Sequence, residues 1–153
     1  MTVNTAKLEL EFTQGPQLEK TLLLIKPDAV RKHRTGEILR RLEEAGFVVT
    51  GLRMQRLSKD EAERFYAIHR EKDFFEGLVE FVVSGPLVAV RLEADDARAR
   101  VRGFIGMTDP AKAAPGSIRS DFGTSIRENA VHASNPEEDV ERELNQFFPD
   151  TEK

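Results

Sequence analysis

Residues 21–25 read Thr21-Leu22-Leu23-Leu24-Ile25, and residues 87–92 read Leu87-Val88-Ala89-Val90-Arg91-Leu92. Each is a short, nearly unbroken apolar run bounded by turn residues. Lys26-Pro27-Asp28 follows the first and Ser84-Gly85-Pro86 precedes the second, which is the pattern of a buried strand. Between them, residues 47–56 are β-branched and extended, with Gly51 as a bulge signal. Helical spacing fills the gaps. Ile38, Leu39 and Leu42 repeat at helical intervals in 36–45, and Gly46 follows as a terminating glycine. Ser58 with Glu61 forms a capping box for a helix that sets Ala62, Phe65, Tyr66 and His69 on one face. Asp73 with Glu76 is a looser version of the same signal. It opens a helix through Leu78, Phe81 and Val82 that Gly85-Pro86 stops.

Beyond Leu92, Asp95 or Asp96 caps a helix running through Val101 to Phe104 or Ile105. Residues 106–127 show no periodicity and are punctuated by Pro110, Pro115, Gly116 and Gly123. An irregular stretch of that length inside a compact domain is functional or disordered. A brief strand at 130–132 follows. Asn135-Pro136 then opens a helix to about Phe147, with Glu137, Glu138 and Asp139 in its first turn. The order of elements is that of a split βαβ arrangement. It predicts an α+β, ferredoxin-like sandwich, with an antiparallel four-stranded sheet and helices mainly on one face.

At the amino terminus, Leu8, Leu10 and Phe12 alternate with Glu9 and Glu11 at strand period until Gly15-Pro16 breaks it. Residues 1–19 read as an extension, either an edge strand or an arm that packs on another subunit, and 20–153 as the domain. The 153 residues, 17.3 kDa, fit one domain. No apolar run approaches the ~18–20 residues of a membrane span. The first twenty residues lack the apolar stretch of a secretory signal. With no cysteine, disulfides, thiolate metal sites and cysteine nucleophiles are excluded. These features point to a soluble, cytoplasmic protein. A net charge of −4 disfavours non-specific nucleic-acid binding. Arginines outnumber lysines 15 to 8, from anion recognition or from codon bias.

No G-x-x-x-x-G-K-[ST], G-x-G-x-x-G or H-E-x-x-H pattern and no Asp-rich calcium loop occurs, so any phosphate must be held by side chains. Lys26 at a strand's carboxyl end either points into a site or is solvated. Arg102, near a helix end, and Arg119, in the irregular stretch, offer planar forks for phosphate, or else a dipole partner and a surface ion pair. Thr108 either donates to a phosphate or caps a turn with Asp109-Pro110. Of the three histidines, His33 sits in a basic turn, and His69 falls on an apolar helix face. His132 follows Ala130-Val131 at a strand end, between Asn129 and Ser134. A neutral imidazole there is a competent nucleophile toward phosphorus, with cations and hydroxyls to spread the developing charge.

Taken together, Lys26-Pro27-Asp28-Ala29-Val30, Phe74-Phe75-Glu76-Gly77-Leu78, Ser84-Gly85-Pro86-Leu87-Val88, Thr108-Asp109-Pro110, Pro115-Gly116-Ser117-Ile118-Arg119, Asp121-Phe122 and Asn129-Ala130-Val131-His132-Ala133-Ser134 resemble the nucleoside diphosphate kinases in order and spacing, from about Lys20 to Phe148. That family has the ferredoxin-like fold. The resemblance implies transfer of the γ-phosphate of a nucleoside triphosphate to a nucleoside diphosphate through a phosphohistidine on His132. It implies that Glu143 orients this histidine and that Ser134 supports it. Lys26 and Tyr66 would approach the transferring group, and Lys26 and Asn129 the ribose 3′-hydroxyl. Arg102, Thr108 and Arg119 would bind phosphates, and Phe74 and Ile126 would sandwich the base with Leu78 nearby. Mg²⁺ would arrive on the nucleotide phosphates, with no protein cage. A homo-oligomer, tetramer or hexamer, is implied as well.

Two departures from the family pattern stand out: Asn135-Pro136 where an aspartate is usual, and Asp73 where a proline is common. Two other classes compete with the enzyme. One is a nucleotide-binding scaffold on the same fold. The other is a nucleic-acid-binding module, which the negative charge and the lack of exposed stacking aromatics on the strands disfavour.

Overall fold

The computed structural model describes residues 18–135 and 139–149. The expected strand around Leu8, Leu10 and Phe12, and residues 136–138 at the expected start of the last helix, lie outside them. The strands are β1 (Leu18–Ile25), β2 (Val48–Gln55), β3 (Leu87–Asp95) and β4 (Val131–Ala133). They line up as β2-β3-β1-β4, each neighbouring pair antiparallel. The helices are α1 (Pro27–Arg31), α2 (Thr35–Glu44), α3 (Lys59–Phe65), α4 (Phe75–Val82), α5 (Ala97–Ile105), α6 (Ile118–Phe122) and α7 (Val140–Phe147). Short 3₁₀ turns occupy Ala67–His69 and Pro110–Lys112. The sheet order is that of the ferredoxin-like α+β class read from the sequence.

Helices cover both faces of the sheet, which corrects the expectation that they lie mainly on one. Along β1, Leu22 and Leu24 point to one face and Leu23 and Ile25 to the other, and all four are fully buried. Leu23 and Ile25, with Val90 and Leu92 of β3, pack under Ile38 and Leu42 of α2 and Val101 and Ile105 of α5. Leu22, Leu24 and Ala89 pack under Phe65 of α3, Val79 and Val82 of α4, and Leu144 and Phe147 of α7. The physical reason lies in the run at 21–25. A strand with one solvated face alternates apolar and polar residues, whereas an unbroken apolar run needs cover on both sides.

Local chemistry explains the boundaries. The capping box at α3 forms as expected: the Glu61 amide donates to Ser58 Oγ at 3.1 Å, and the Ser58 amide to Glu61 Oε1 at 2.8 Å. The helix stops at Phe65, however, so Tyr66 and His69 lie in the following turn rather than on a continuous helix. Asp73 does not cap α4. The Phe75 amide instead donates to the Lys72 carbonyl of the preceding turn. At α5, Asp96 holds the cap position at φ 52° without a side-chain bond, and Glu19 of β1 accepts from the Arg98 amide at 3.1 Å. The β2–β3 register shifts between Val49 and Gly51, in line with the bulge signal of the glycine. A Cβ at Gly51 would lie 2.9 Å from the Phe148 ring, so only glycine lets the end of the chain close onto β2 there.

Because both faces are buried, Leu23→Ala and Leu24→Ala should each cost about 2–5 kcal/mol, read as a lowered midpoint in urea denaturation. A sheet with one wet face would show that loss for one of the pair and near-parent stability for the other.

Candidate active site

The site lies at the carboxyl end of β1, where the two helical layers meet over β4. Pairing of β4 with β1 sets His132 opposite Leu24, on the face covered by α3 and α7. There the imidazole meets the Phe65 ring edge-on, centroids 5.2 Å apart. Glu143 comes from the apolar face of α7, which it shares with Val140, Leu144 and Phe147, and is only 4% exposed. Its Oε1 lies 3.1 Å from His132 Nε2 and accepts from Ser134 Oγ as well. Burial pushes the Glu143 carboxyl up. The hydrogen bond and charge of His132, the bond from Ser134 and the nearby Arg142 outweigh it, leaving the group below its ordinary value. A carboxylate only accepts, so in the neutral imidazole it fixes the proton on Nε2 and leaves Nδ1 with its lone pair.

The chain approaches His132 through an uncommon backbone. Ala130 has φ 75° and is fully buried. The Val131 amide donates to the Asn129 carbonyl across it at 2.9 Å, closing a three-residue γ-turn of the rare, strained hand. The turn is held by the β1–α1 junction: the Lys26 amide donates to the Ala130 carbonyl at 2.9 Å, and Asp28 Oδ2 accepts from the Ala130 amide at 3.0 Å.

Lys26 itself is buried at the cap position of α1. Its Nζ donates to the Asn129 side chain and to the Arg127 carbonyl, both at 2.8 Å, and sits 5.5 Å from the Phe81 ring centre. Burial pulls its ammonium down to about 8, with Asp28 the main opposing influence. From the other layer, Arg119 donates to the Val131 carbonyl at 2.9 Å and to the Gly106 carbonyl at 3.1 Å. Arg102 reaches the Ala133 carbonyl at 3.5 Å. Two arginines thus anchor on the β4 carbonyls flanking His132. Burial, and then Arg102, lower Arg119 to about 10. Gly106 ends α5 at φ 97°, a conformation that glycine alone adopts freely.

These groups open into a cleft of about 780 Å³. Phe74 and Ile126, 45% and 62% exposed, stand at its apolar mouth, and Leu78 and Ile68 also line it. Thr108 lies in the wall, and its carbonyl accepts from Asn129 Nδ2 at 2.9 Å. Tyr66 is buried beside Phe65, and burial, with Glu143, raises its phenol. Of the site residues that the resemblance implies, all but Ser134 line this one cavity, and Ser134 bonds Glu143 directly. Arg119 sits on α6, within the stretch expected to be irregular. Asp28 has no role in the sequence reading beyond its place in the Lys26-Pro27-Asp28 motif. Its signal is an acid three residues beyond a buried strand. Arg127, which lines the cleft, carries no distinguishing pattern.

The profile of the nucleoside diphosphate kinase family matches residues 19–153. The nucleoside diphosphate kinase of Salinibacter ruber is 50% identical over 134 residues, 88% of this chain and 94% of that protein. Among solved structures, the nucleoside diphosphate kinase of Aquifex aeolicus superposes with a TM-score of 0.84 at 46% identity, covering 86% of this chain and 96% of that one. The halophilic enzyme of Halobacterium salinarum, in complex with CDP, gives 0.84 at 40% identity, covering 88% and 90%.

A carboxyl lowered in the folded state adds stability above its ordinary value and loses that contribution as pH falls through the lowered one. Glu143→Gln should therefore be less stable than the parent at pH 7, and the gap should narrow below about pH 4.5. Urea denaturation at pH 7 and pH 4 measures both gaps, and equal gaps would contradict the assignment.

Proposed function

The chain belongs to the nucleoside diphosphate kinase family, whose members are nucleotide phosphotransferases, and from that premise we propose that His132 is the residue that carries the phosphoryl group. The observation behind this reading is the Nε2–Glu143 bond, with Ser134 on the same oxygen. It leaves Nδ1 unprotonated on a ring whose neighbours are two anchored arginines and a buried lysine. In the first half-reaction, the Nδ1 lone pair attacks the γ-phosphorus of a nucleoside triphosphate. The N–P bond forms, the bond from phosphorus to the β,γ-bridging oxygen breaks, and the diphosphate leaves with that electron pair. In the second, a terminal β-phosphate oxygen of another nucleoside diphosphate attacks the same phosphorus, the P–O bond forms, the P–Nδ1 bond breaks, and its electron pair returns to His132. One site serving both partners in turn gives ping-pong kinetics.

The remaining roles are those that the family resemblance implies, and the gathering of these side chains in one cleft supports them. Arg102, Arg119 and Thr108 hold the phosphates, and Lys26 and Tyr66 meet the transferring group. Lys26 and Asn129, 2.8 Å apart, hold the ribose 3′-hydroxyl. Phe74 and Ile126 clasp the base with Leu78 nearby. An apolar slot reads no hydrogen-bonding edge, which supports broad base tolerance. The CDP in the Halobacterium salinarum complex is a ligand of the class this slot would take. Mg²⁺ bound to the nucleotide neutralises phosphate charge. That ion would arrive on the nucleotide phosphates.

No helix among the described residues is long and apolar enough to cross a membrane, and we assign the enzyme to the cytoplasm, where nucleotides turn over. We further propose a homo-oligomer, tetramer or hexamer, with residues 1–19 as an extension to the catalytic domain, 20–153. The open edge of the sheet supports assembly: β2 presents Val48, Leu52 and Met54 to solvent.

Intact mass after mixing with Mg·ATP should show one added phosphoryl group, stable to base and labile to acid, that disappears on adding GDP. His132→Ala should bind ADP and stay folded yet take up no phosphoryl group. Uptake by that variant would sink the assignment. The affinity for ADP should also fall as pH rises through about 8, where free Lys26 loses its proton. An affinity flat to pH 9 would remove Lys26 from the groups that contact the bound nucleotide.

A further inference from the structure

We propose that Asp28 is the positioning residue of this site: its carboxylate clamps the left-handed turn that aims Asn129 and His132, and its buried negative charge compensates that of Lys26, two residues earlier in the chain. The inference rests on the transfer reading above and assigns a role to a residue outside the reacting groups.

The geometry is specific. Asp28 is 1% exposed, and α1, which holds it, starts directly after the central strand. One of its oxygens takes the Ala130 amide, 102 positions away in the chain. The Lys26 amide takes the Ala130 carbonyl. Both polar backbone groups of Ala130 are therefore bound to the same three-residue segment, Lys26-Pro27-Asp28. A positive φ at a residue with a Cβ persists only where the surroundings over-determine it, and here they do. Releasing the amide lets Ala130 relax toward negative φ. The chain on either side then swings, with the Asn129 amide on one side of the turn and the imidazole two residues beyond it.

The second part of the proposal uses the other oxygen. Asp28 Oδ1 is buried and makes no hydrogen bond among the described residues. Its negative charge acts on Lys26, which is buried two residues earlier in the chain. The charged groups around Lys26 are Asp28 on α1, Arg119 on α6, and Arg127 and Glu128 in the loop before β4, with the uncharged Phe81 ring on α4. The two arginines push the ammonium toward neutrality, as burial does. Asp28 is the strongest group acting the other way, ahead of Glu128.

Two substitutions separate the parts. Asp28→Asn keeps an oxygen for the Ala130 amide and removes the charge, whereas Asp28→Ala removes both. The full-length parent and these two variants are compared in three measurements: phosphoenzyme formation in a single turnover with Mg·ATP, ADP affinity from pH 6.5 to 9, and hydrogen–deuterium exchange of the peptide spanning 129–134. Asp28→Ala should lose exchange protection in that peptide and form phosphoenzyme about 100-fold more slowly, the scale of an ångström of misplacement. Asp28→Asn should keep the protection, and its loss of ADP affinity should move to lower pH than the parent's. A folded Asp28→Ala that reacts at the parent's rate overturns the proposal, as does an Asp28→Asn with the parent's pH dependence. Should Asp28→Ala not fold, Asp28→Asn decides alone. A parent that takes up no phosphoryl group defeats the transfer reading itself, and exchange and ADP affinity, which need no turnover, still decide the role of Asp28.

Discussion

Two-sided burial of β1 is the constraint on which the rest of the structure depends. Its four consecutive fully buried apolar residues need a helical layer on each side, and the two layers bring different chemistry. One layer, through α5 and α6, delivers Arg102 and Arg119. The other, through α3, α4 and α7, delivers Phe65, the segment with Tyr66 and Phe74, and Glu143. Where β1 ends, both layers meet, and β4 alongside sets His132 on the side covered by α3 and α7. The cleft is therefore where two hydrophobic interfaces terminate at a common strand end, and its position follows from packing before any polar group is considered.

Within that frame, the polar groups are held at some expense to stability. Lys26 and Arg119 are desolvated cations, and each sits below its ordinary value because burial disfavours charge. Glu143 is a buried anion kept charged by the hydrogen bonds it accepts. Ala130 holds a backbone conformation costing on the order of 1–3 kcal/mol. Hydrophobic burial on both faces of the sheet offsets these costs, and the same residues moved to the surface would lose the low dielectric that makes a phosphate attractive to them.

Much of this is legible in the sequence, for reasons that differ by residue. The runs at 21–25 and 87–92 are strand signals because length and turn punctuation agree. The box at Ser58 and Glu61 and the bulge at Gly51 are local chemistry, and both hold. The helices on the second face escape a reading based on element order, because only the unbroken apolar run, with its missing alternation, announces them. Helix α1 escapes a reading of Pro27 as a stop, although proline is favoured in a first helical turn. The cap from Glu19 to the Arg98 amide has no local signature, since its partners lie 79 positions apart. The left-handed Ala130 carries no signal of its own. Alanine has no preference for positive φ, so the conformation exists only because distant atoms impose it. The gathering of His132, Glu143 and Lys26 is reached through family resemblance rather than spacing.

The contacts that join Lys26 to Arg127 and Asn129, and Asp28 to Ala130, span 101 to 103 positions. Closing a loop of that length is an entropic cost met only after the intervening layers have condensed. On a ribosome the order is stricter, since β4 and α7 are among the last elements to emerge. A nascent chain that already holds Arg102 and Arg119 has neither His132 nor the Glu143 carboxylate that bonds it. A product truncated before α7 would thus lack the Glu143–His132 bond even if the rest of the cleft had formed, so the site is closed in one step by α7 rather than built up in proportion to length.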